Sequence, residues 1–160
     1  MIEALGLNDP LHEQYLDFVT RAVQFDFGNS YRGALPVADM ILERLPATLE
    51  LAIVSALFAM ILGTLLGIYT AIRKNGLLAN FIMSSSLIGV SLPTFLIGVL
   101  LIWLFAVELG WLPSFGRGET VQLGFWSTSL LTVSGLKSLV LPAITLGLYQ
   151  MTLIMRLVRA

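Results

Sequence analysis

From Leu77 to Val107 the chain runs for 31 residues without a charged side chain. The hydrocarbon core of a bilayer is about 30 Å thick, and a helix needs roughly 20 apolar residues to cross it. The stretch exceeds that length, so it predicts a transmembrane helix that crosses with tilt or extends beyond the core. A helix suits that solvent because it satisfies its own backbone N–H and C=O groups, for which hydrocarbon offers no partner. Only 12% of the residues are charged and 57% are hydrophobic, whereas soluble domains are about 25% charged.

Two more runs have the same character. Leu51 to Ile72 is uncharged, with Glu50 at its edge, where a charge is expected to reach water cheaply. Ser138 to Met155 is uncharged and is followed by Arg156 and Arg159. The expected fold class is therefore all-α: polytopic membrane helices in three spans, at about 49–72, 79–107 and 138–157. An extracytoplasmic amphipathic helical segment, residues 1–47, precedes a partial transmembrane domain, residues 48–160.

The N-terminal segment carries helix signals. Asp9-Pro10 is a helix start, with Asp as N-cap and Pro at the first helical position. Leu11, Tyr15, Phe18, Val19 and Ala22 fall on one face and Glu13, Asp17 and Arg21 on another. This helix is expected to stop near Phe27-Gly28-Asn29-Ser30. A second, short helix should begin at Pro36, with Val37, Met40 and Ile41 as its apolar stripe and Asp39 and Glu43 outside it, and Pro46 should interrupt it. Such stripes ordinarily cover neighbouring spans.

Charge sets the expected orientation. The turn after the first span holds Arg73 and Lys74 without an acid, and the C-terminal end holds Arg156 and Arg159. Residues 1–47 are net acidic and residues 108–137 are balanced. Positive charge close to span ends stays cytoplasmic, so both polar segments should lie outside and the C-terminus in the cytoplasm. A polar N-terminal segment without a signal sequence then needs an upstream span to carry it across. On this reading the chain is a piece of a longer protein.

Within the spans the polar groups are uncharged. Ser55, Ala59, Gly63 and Gly67 recur every four residues and form a ridge of small side chains, which lets helix backbones approach closely. Pro93 lacks an N–H and crowds the carbonyl of Gly89, so a kink is expected there. Ser84, Ser91 and Gly98 recur every seven residues on one face, with Thr94 beside the kink. Gln150 lies in the third span near Thr145 and Thr152. These polar groups suit either helix packing or a path for a hydrogen-bonding solute: Ser84, Gly89, Ser91, Pro93, Thr94 and Gln150 are the candidates.

Catalytic chemistry finds no support. The single histidine, His12, sits beside Glu13 on a surface helix. The chain has no cysteine, no phosphate-binding glycine loop and no in-span acid or base to mark a proton relay. No catalytic or metal site is assigned, and no basic cluster points to nucleic acid.

Several segments together resemble a known family. Asp26-Phe-Gly-Asn-Ser30 and Ile41-Leu-Glu-Arg-Leu-Pro-Ala-Thr-Leu-Glu-Leu51 resemble the entry to the second span of permeases in ABC importers of the dipeptide/oligopeptide/nickel family. Gly89-Val-Ser-Leu-Pro-Thr-Phe-Leu-Ile-Gly98 is similar to that family's Ser-Leu-Pro-x-Phe-x-x-Gly span. Phe105-Ala-Val-Glu-Leu-Gly-Trp-Leu-Pro113 and Leu139-Val-Leu-Pro-Ala-Ile-Thr-Leu146 match its span exit and the start of its next span. Met155-Arg-Leu-Val-Arg-Ala160 looks like the approach to its coupling loop.

The resemblance implies a membrane subunit of a binding-protein-dependent importer. Its partners would be a second permease, two cytoplasmic ATPases, an extracytoplasmic solute-binding protein and membrane lipid. ATP–Mg would sit on the ATPases and no cofactor on this chain. The resemblance leaves the substrate open among a dipeptide, an oligopeptide, nickel, glutathione and a sugar-like or other solute. The family's first span and coupling loop are expected beyond the two ends of this sequence. The alternative reading is a small membrane structural or assembly protein that oligomerises through the Ser55–Gly67 ridge.

Overall fold

The computed structural model describes residues 10–30 and 35–160. These form two compact units, one ending at Leu45 and one beginning at Pro46. The proposed N-cap Asp9 lies outside the described residues.

In the first unit, α1 runs Leu11–Val23, with Pro10 at the N-cap position. The Pro10 carbonyl accepts from the N–H groups of Glu13 and Gln14. Asp17 and Arg21 meet at 2.9 Å, both exposed, a pair worth a few tenths of a kcal/mol. The helix ends before the expected Phe27–Ser30. Phe25 takes a φ of 60°, and the Asp26 carboxylate accepts from the Gly28 N–H at 3.0 Å. That local turn competes successfully with another helical turn. No residue of α1 is buried, so its apolar stripe is uncovered.

Helix α2 runs Val37–Ile72, which corrects the expectation that Pro46 ends a short helix. Pro46 deprives the Leu42 carbonyl of its donor. Ending the helix there would leave four terminal carbonyls without intrahelical partners, a larger loss, and the following apolar residues favour continuation.

The stretch from Leu77 is not one helix. It divides into α3, Leu77–Ser91, and α4, Thr94–Ile102. A π-helical turn at Trp103–Glu108 extends α4. The sequence anticipates a kink at Pro93, but the helix breaks there. Pro93 adopts φ −58° and ψ 135° and serves as the N-cap of α4. Residues before proline disfavour the helical region, and the break relieves the crowding at Gly89 that a continuous helix would impose. The chain then folds back: Trp111 and Leu112 donate to the Phe105 carbonyl, and the Phe105 and Trp111 rings lie 6.1 Å apart.

The polar segment after Glu108 contains a two-stranded antiparallel hairpin, so the fold is not purely helical. Strand β1 is Val121–Leu123 and β2 is Trp126–Thr128, joined through Gly124, whose φ is 66°. Positive φ at that position favours glycine and permits the two-residue turn. Thr132 then caps α5, its hydroxyl accepting from the Gly135 N–H at 3.0 Å. Helix α5 runs Val133–Arg159, starting earlier than the expected 138, because Thr132 supplies the cap and Lys137 is tolerated in an outer turn. Arg156 and Arg159 lie in its last turn, favourable against the helix dipole.

Among the described residues, two helices, α2 and α5, are long and apolar enough to cross a membrane. They pack backbone to backbone. A Cβ on Gly63 would lie 2.8 Å from the Met151 carbonyl oxygen, and one on Gly67 2.9 Å from the Met155 carbonyl oxygen. Gly147 on α5 meets the Phe58 ring of α2 in the same way. Helices α3 and α4 also pack on α5.

Candidate functional site

The most elaborate polar arrangement is at the start of the apolar part of α2. Glu50 is only 3% exposed. It does not reach out to water, as a residue at a span edge was expected to do. Its carboxylate is met by donors from the 109–132 loop. Ser129 donates twice, from its N–H at 3.1 Å and its hydroxyl at 2.7 Å. Trp126 donates from Nε1 at 3.2 Å, and the Arg117 guanidinium approaches at 3.4 Å.

Arg117 in turn donates to the hydroxyl and to the carbonyl of Ser127. Among the described residues its Nε is buried without a partner. A buried charge needs both a counter-ion and hydrogen bonds, and Glu50 has both. The cluster thus fastens the hairpin to α2. Sequence reasoning missed it because the donors lie 67 or more positions from Glu50. The one available signal was an acid at the very edge of an uncharged run.

The second feature is the seam under the small residues. Ser55, Ala59, Gly63 and Gly67 are all buried, and α5 residues Met151, Ile154, Met155 and Val158 lie over the two glycines. The ridge is therefore occupied within the chain, which removes the surface that the oligomerisation reading requires. Gly89 and Gly98 also face α5: a Cβ on each would meet Thr152 and Thr145, at 3.6 and 3.3 Å.

The hydroxyls of the spans bond mainly to their own helices. Ser55 donates to the Ala52 carbonyl, Ser86 to Met83, Thr145 to Leu141 and Thr152 to Leu148. These groups need no partner helix.

The remaining candidates lie on uncovered surface. Ser84, Ser91, Pro93, Thr94 and Gln150 are exposed. Ser91 donates to the Leu87 carbonyl at 2.8 Å. The side-chain amide of Gln150 has no hydrogen-bond partner among the described residues. A cavity of about 440 Å³ lies between α4, the 113–116 loop and α5, and Gly98, Pro142 and Thr145 help to line it. Arg73 and Lys74 are exposed at the turn after α2, and Arg156 is exposed near the end of α5. Among the described residues there is no cluster of acids and histidine able to hold a metal.

Comparison with known proteins gives the context. Residues 63–160 match the family described as "Binding-protein-dependent transport system inner membrane component". The chain is 36% identical to a di/tripeptide transport system permease protein of Pseudomonas aeruginosa (strain UCBPP-PA14), over 99% of this chain and 51% of that protein. It is 36% identical to a dipeptide transport system permease protein of Alkalihalophilus pseudofirmus, with the same coverage. Against a glutathione transport system permease protein of Escherichia coli (strain K12) the identity is 37%, over 99% of this chain and 46% of that protein. The chain spans about half the length of these relatives.

Proposed function

Because the chain belongs to the family of inner membrane components of binding-protein-dependent transport systems, we propose that it forms part of the permease of an ATP-driven importer for peptides or related small solutes. The family match over residues 63–160 carries this reading. The names of the similar permeases, for di- and tripeptides, dipeptides and glutathione, favour a short peptide as cargo. The chain itself performs no hydrolysis: ATP and Mg²⁺ bind to two cytoplasmic ATPase partners. A second permease and an extracytoplasmic solute-binding protein complete the assembly.

We place the chain in the membrane with three crossings: α2 from about residue 49, the broken helix α3–α4, and α5. Residues 1–47 and the 109–132 loop face outside, while Arg73, Lys74, Arg156 and Arg159 lie on the cytoplasmic side. Exposed polar side chains are unfavourable against lipid. The uncovered Ser84, Ser91, Thr94 and Gln150 therefore suit a water-filled path or a second permease. Full-length protein is expected to co-purify with its ATPases and to stimulate their turnover when binding protein and peptide are added. Turnover that ignores both additions would contradict the reading.

The break at Pro93 gives that path a point of bending. Pro93→Ala in the full-length permease is expected to reduce uptake about tenfold while membrane insertion, read by protease protection, stays within about twofold. Equal loss of both would assign the break to folding alone. Gln150→Leu removes an amide that lacks a partner among the described residues, and a change of a few-fold in the ratio of uptake between two peptides is expected. Unchanged ratios across a peptide panel would take Gln150 off the path.

A further inference from the structure

The hairpin leaves an apolar tip without a covering. Phe125, in the two-residue turn, is 95% exposed, and Leu123 beside it is 55% exposed. Soluble surfaces seldom concentrate such residues without a partner. The position of the hairpin indicates which partner.

The uncharged run after Glu50 extends to Ile72. At about 1.5 Å per residue it covers about 33 Å of helix, close to the hydrocarbon thickness of about 30 Å. Glu50 thus marks the boundary between hydrocarbon and water at the end of α2 opposite Arg73 and Lys74. The hydrogen bond from Trp126 Nε1 to Glu50, at 3.2 Å, ties the hairpin to that same level. Trp126 pairs with Leu123 across the strands, so the tip begins one residue from the tie. On α2 just below, Ile53 and Leu57 are exposed, which continues the apolar surface from the hairpin's level into the core. Trp126 carries the amphipathic ring that is enriched at this depth, and Phe and Leu side chains bury at the boundary between headgroups and acyl chains.

We propose that the hairpin tip, Leu123 to Phe125, is an interfacial anchor seated in the headgroup region of the bilayer. The bonds to Glu50 set its depth. The occupant of the apolar patch is lipid. The inference rests on α2 crossing the membrane, as in the proposed function, and does not depend on what is transported.

The chain has no cysteine, which permits single labels. The full-length permease, freed of any other cysteines and placed in phosphatidylcholine–phosphatidylglycerol nanodiscs, is labelled with an environment-sensitive fluorophore at Phe125→Cys. Parallel samples carry Gln122→Cys or Ile61→Cys. Gln122 is on the adjoining strand with its side chain on the face opposite Leu123, and Ile61 is near the middle of the apolar run of α2. Blue-shifted emission is expected at 125, with quenching by headgroup-labelled lipid about threefold stronger than at 122. Emission at 61 should be shielded and quenched by acyl-labelled lipid.

Water-like emission at 125 with a shielded 61 overturns the anchor and leaves the membrane crossing intact. A water-exposed 61 removes the membrane crossing and the anchor together. Shielding at 125 that arises only on addition of the solute-binding protein overturns the lipid assignment in favour of a protein partner.

Discussion

Glu50→Ala is expected to release the 109–132 loop from α2 and to lower stability by about 3 kcal/mol, the range found when one partner of a buried ion pair is removed. The substitution leaves the Ser129 N–H and hydroxyl and the Trp126 Nε1 without their acceptor, and each stranded buried group adds to the loss. Arg117, with its side chain only 28% exposed, loses its counter-ion. Limited proteolysis of full-length protein in detergent reads the release directly, as new cleavage between residues 109 and 132. Glu50→Gln keeps one carbonyl oxygen for these donors and should lie between wild type and Glu50→Ala. Glu50→Ala combined with Arg117→Ala should cost less than the two single changes added together, because the double variant strands no charge. Strict additivity would show that the pair is not coupled.

Gly63→Leu together with Gly67→Leu is the second large effect. A Cβ at Gly63 already lies 2.8 Å from the Met151 carbonyl and 2.9 Å from the Ile154 Cβ, and one at Gly67 lies 2.7 Å from the Val158 Cβ. Carbonyl oxygens on a helix cannot give way as a side-chain tip can, so α2 and α5 must separate. Overfilled contacts cost about 1–3 kcal/mol each, and the lost close packing adds to that in a membrane, where dispersion and backbone approach drive association. The midpoint of unfolding by SDS in mixed micelles should fall markedly, while the mass of the native particle by light scattering stays the same. A drop to a smaller particle with an unchanged unfolding midpoint would instead place the ridge between subunits.

Several features of the fold were legible in the sequence because they are local. Hydropathy located the apolar runs at Leu51–Ile72, Leu77–Val107 and Ser138–Met155. The four-residue recurrence of Ser55, Ala59, Gly63 and Gly67 marked the face of α2 that is buried. Its partner was not legible, since nothing in that recurrence distinguishes α5 of the same chain from a second copy. Proline was read less well. Its local effect is the same at Pro46 and Pro93, yet helix continues through the first and stops at the second. The surroundings decide the outcome: strong helix formers follow Pro46, whereas Gly89, Ser91 and Thr94 surround Pro93 and weaken the helix on both sides.

The hairpin and the Glu50 cluster were illegible for a different reason. Three-residue strands give too short an alternation to detect. The cluster joins residue 50 to residues 117, 126 and 129, a pairing that only the folded chain reveals. It reverses the reading of Glu50 from a charge that reaches solvent to the anchor point of the 109–132 loop.

The central claim is that this chain belongs to a path for a short peptide driven by ATP on partner subunits. Its most direct test is uptake of a radiolabelled dipeptide into proteoliposomes that contain the full-length permease, its partner permease and both ATPases. Accumulation is predicted only when ATP is inside, on the ATPase face, and the solute-binding protein is outside, and it should be lost in the Gly63→Leu plus Gly67→Leu variant. Accumulation that persists without ATP or without the binding protein would contradict the account.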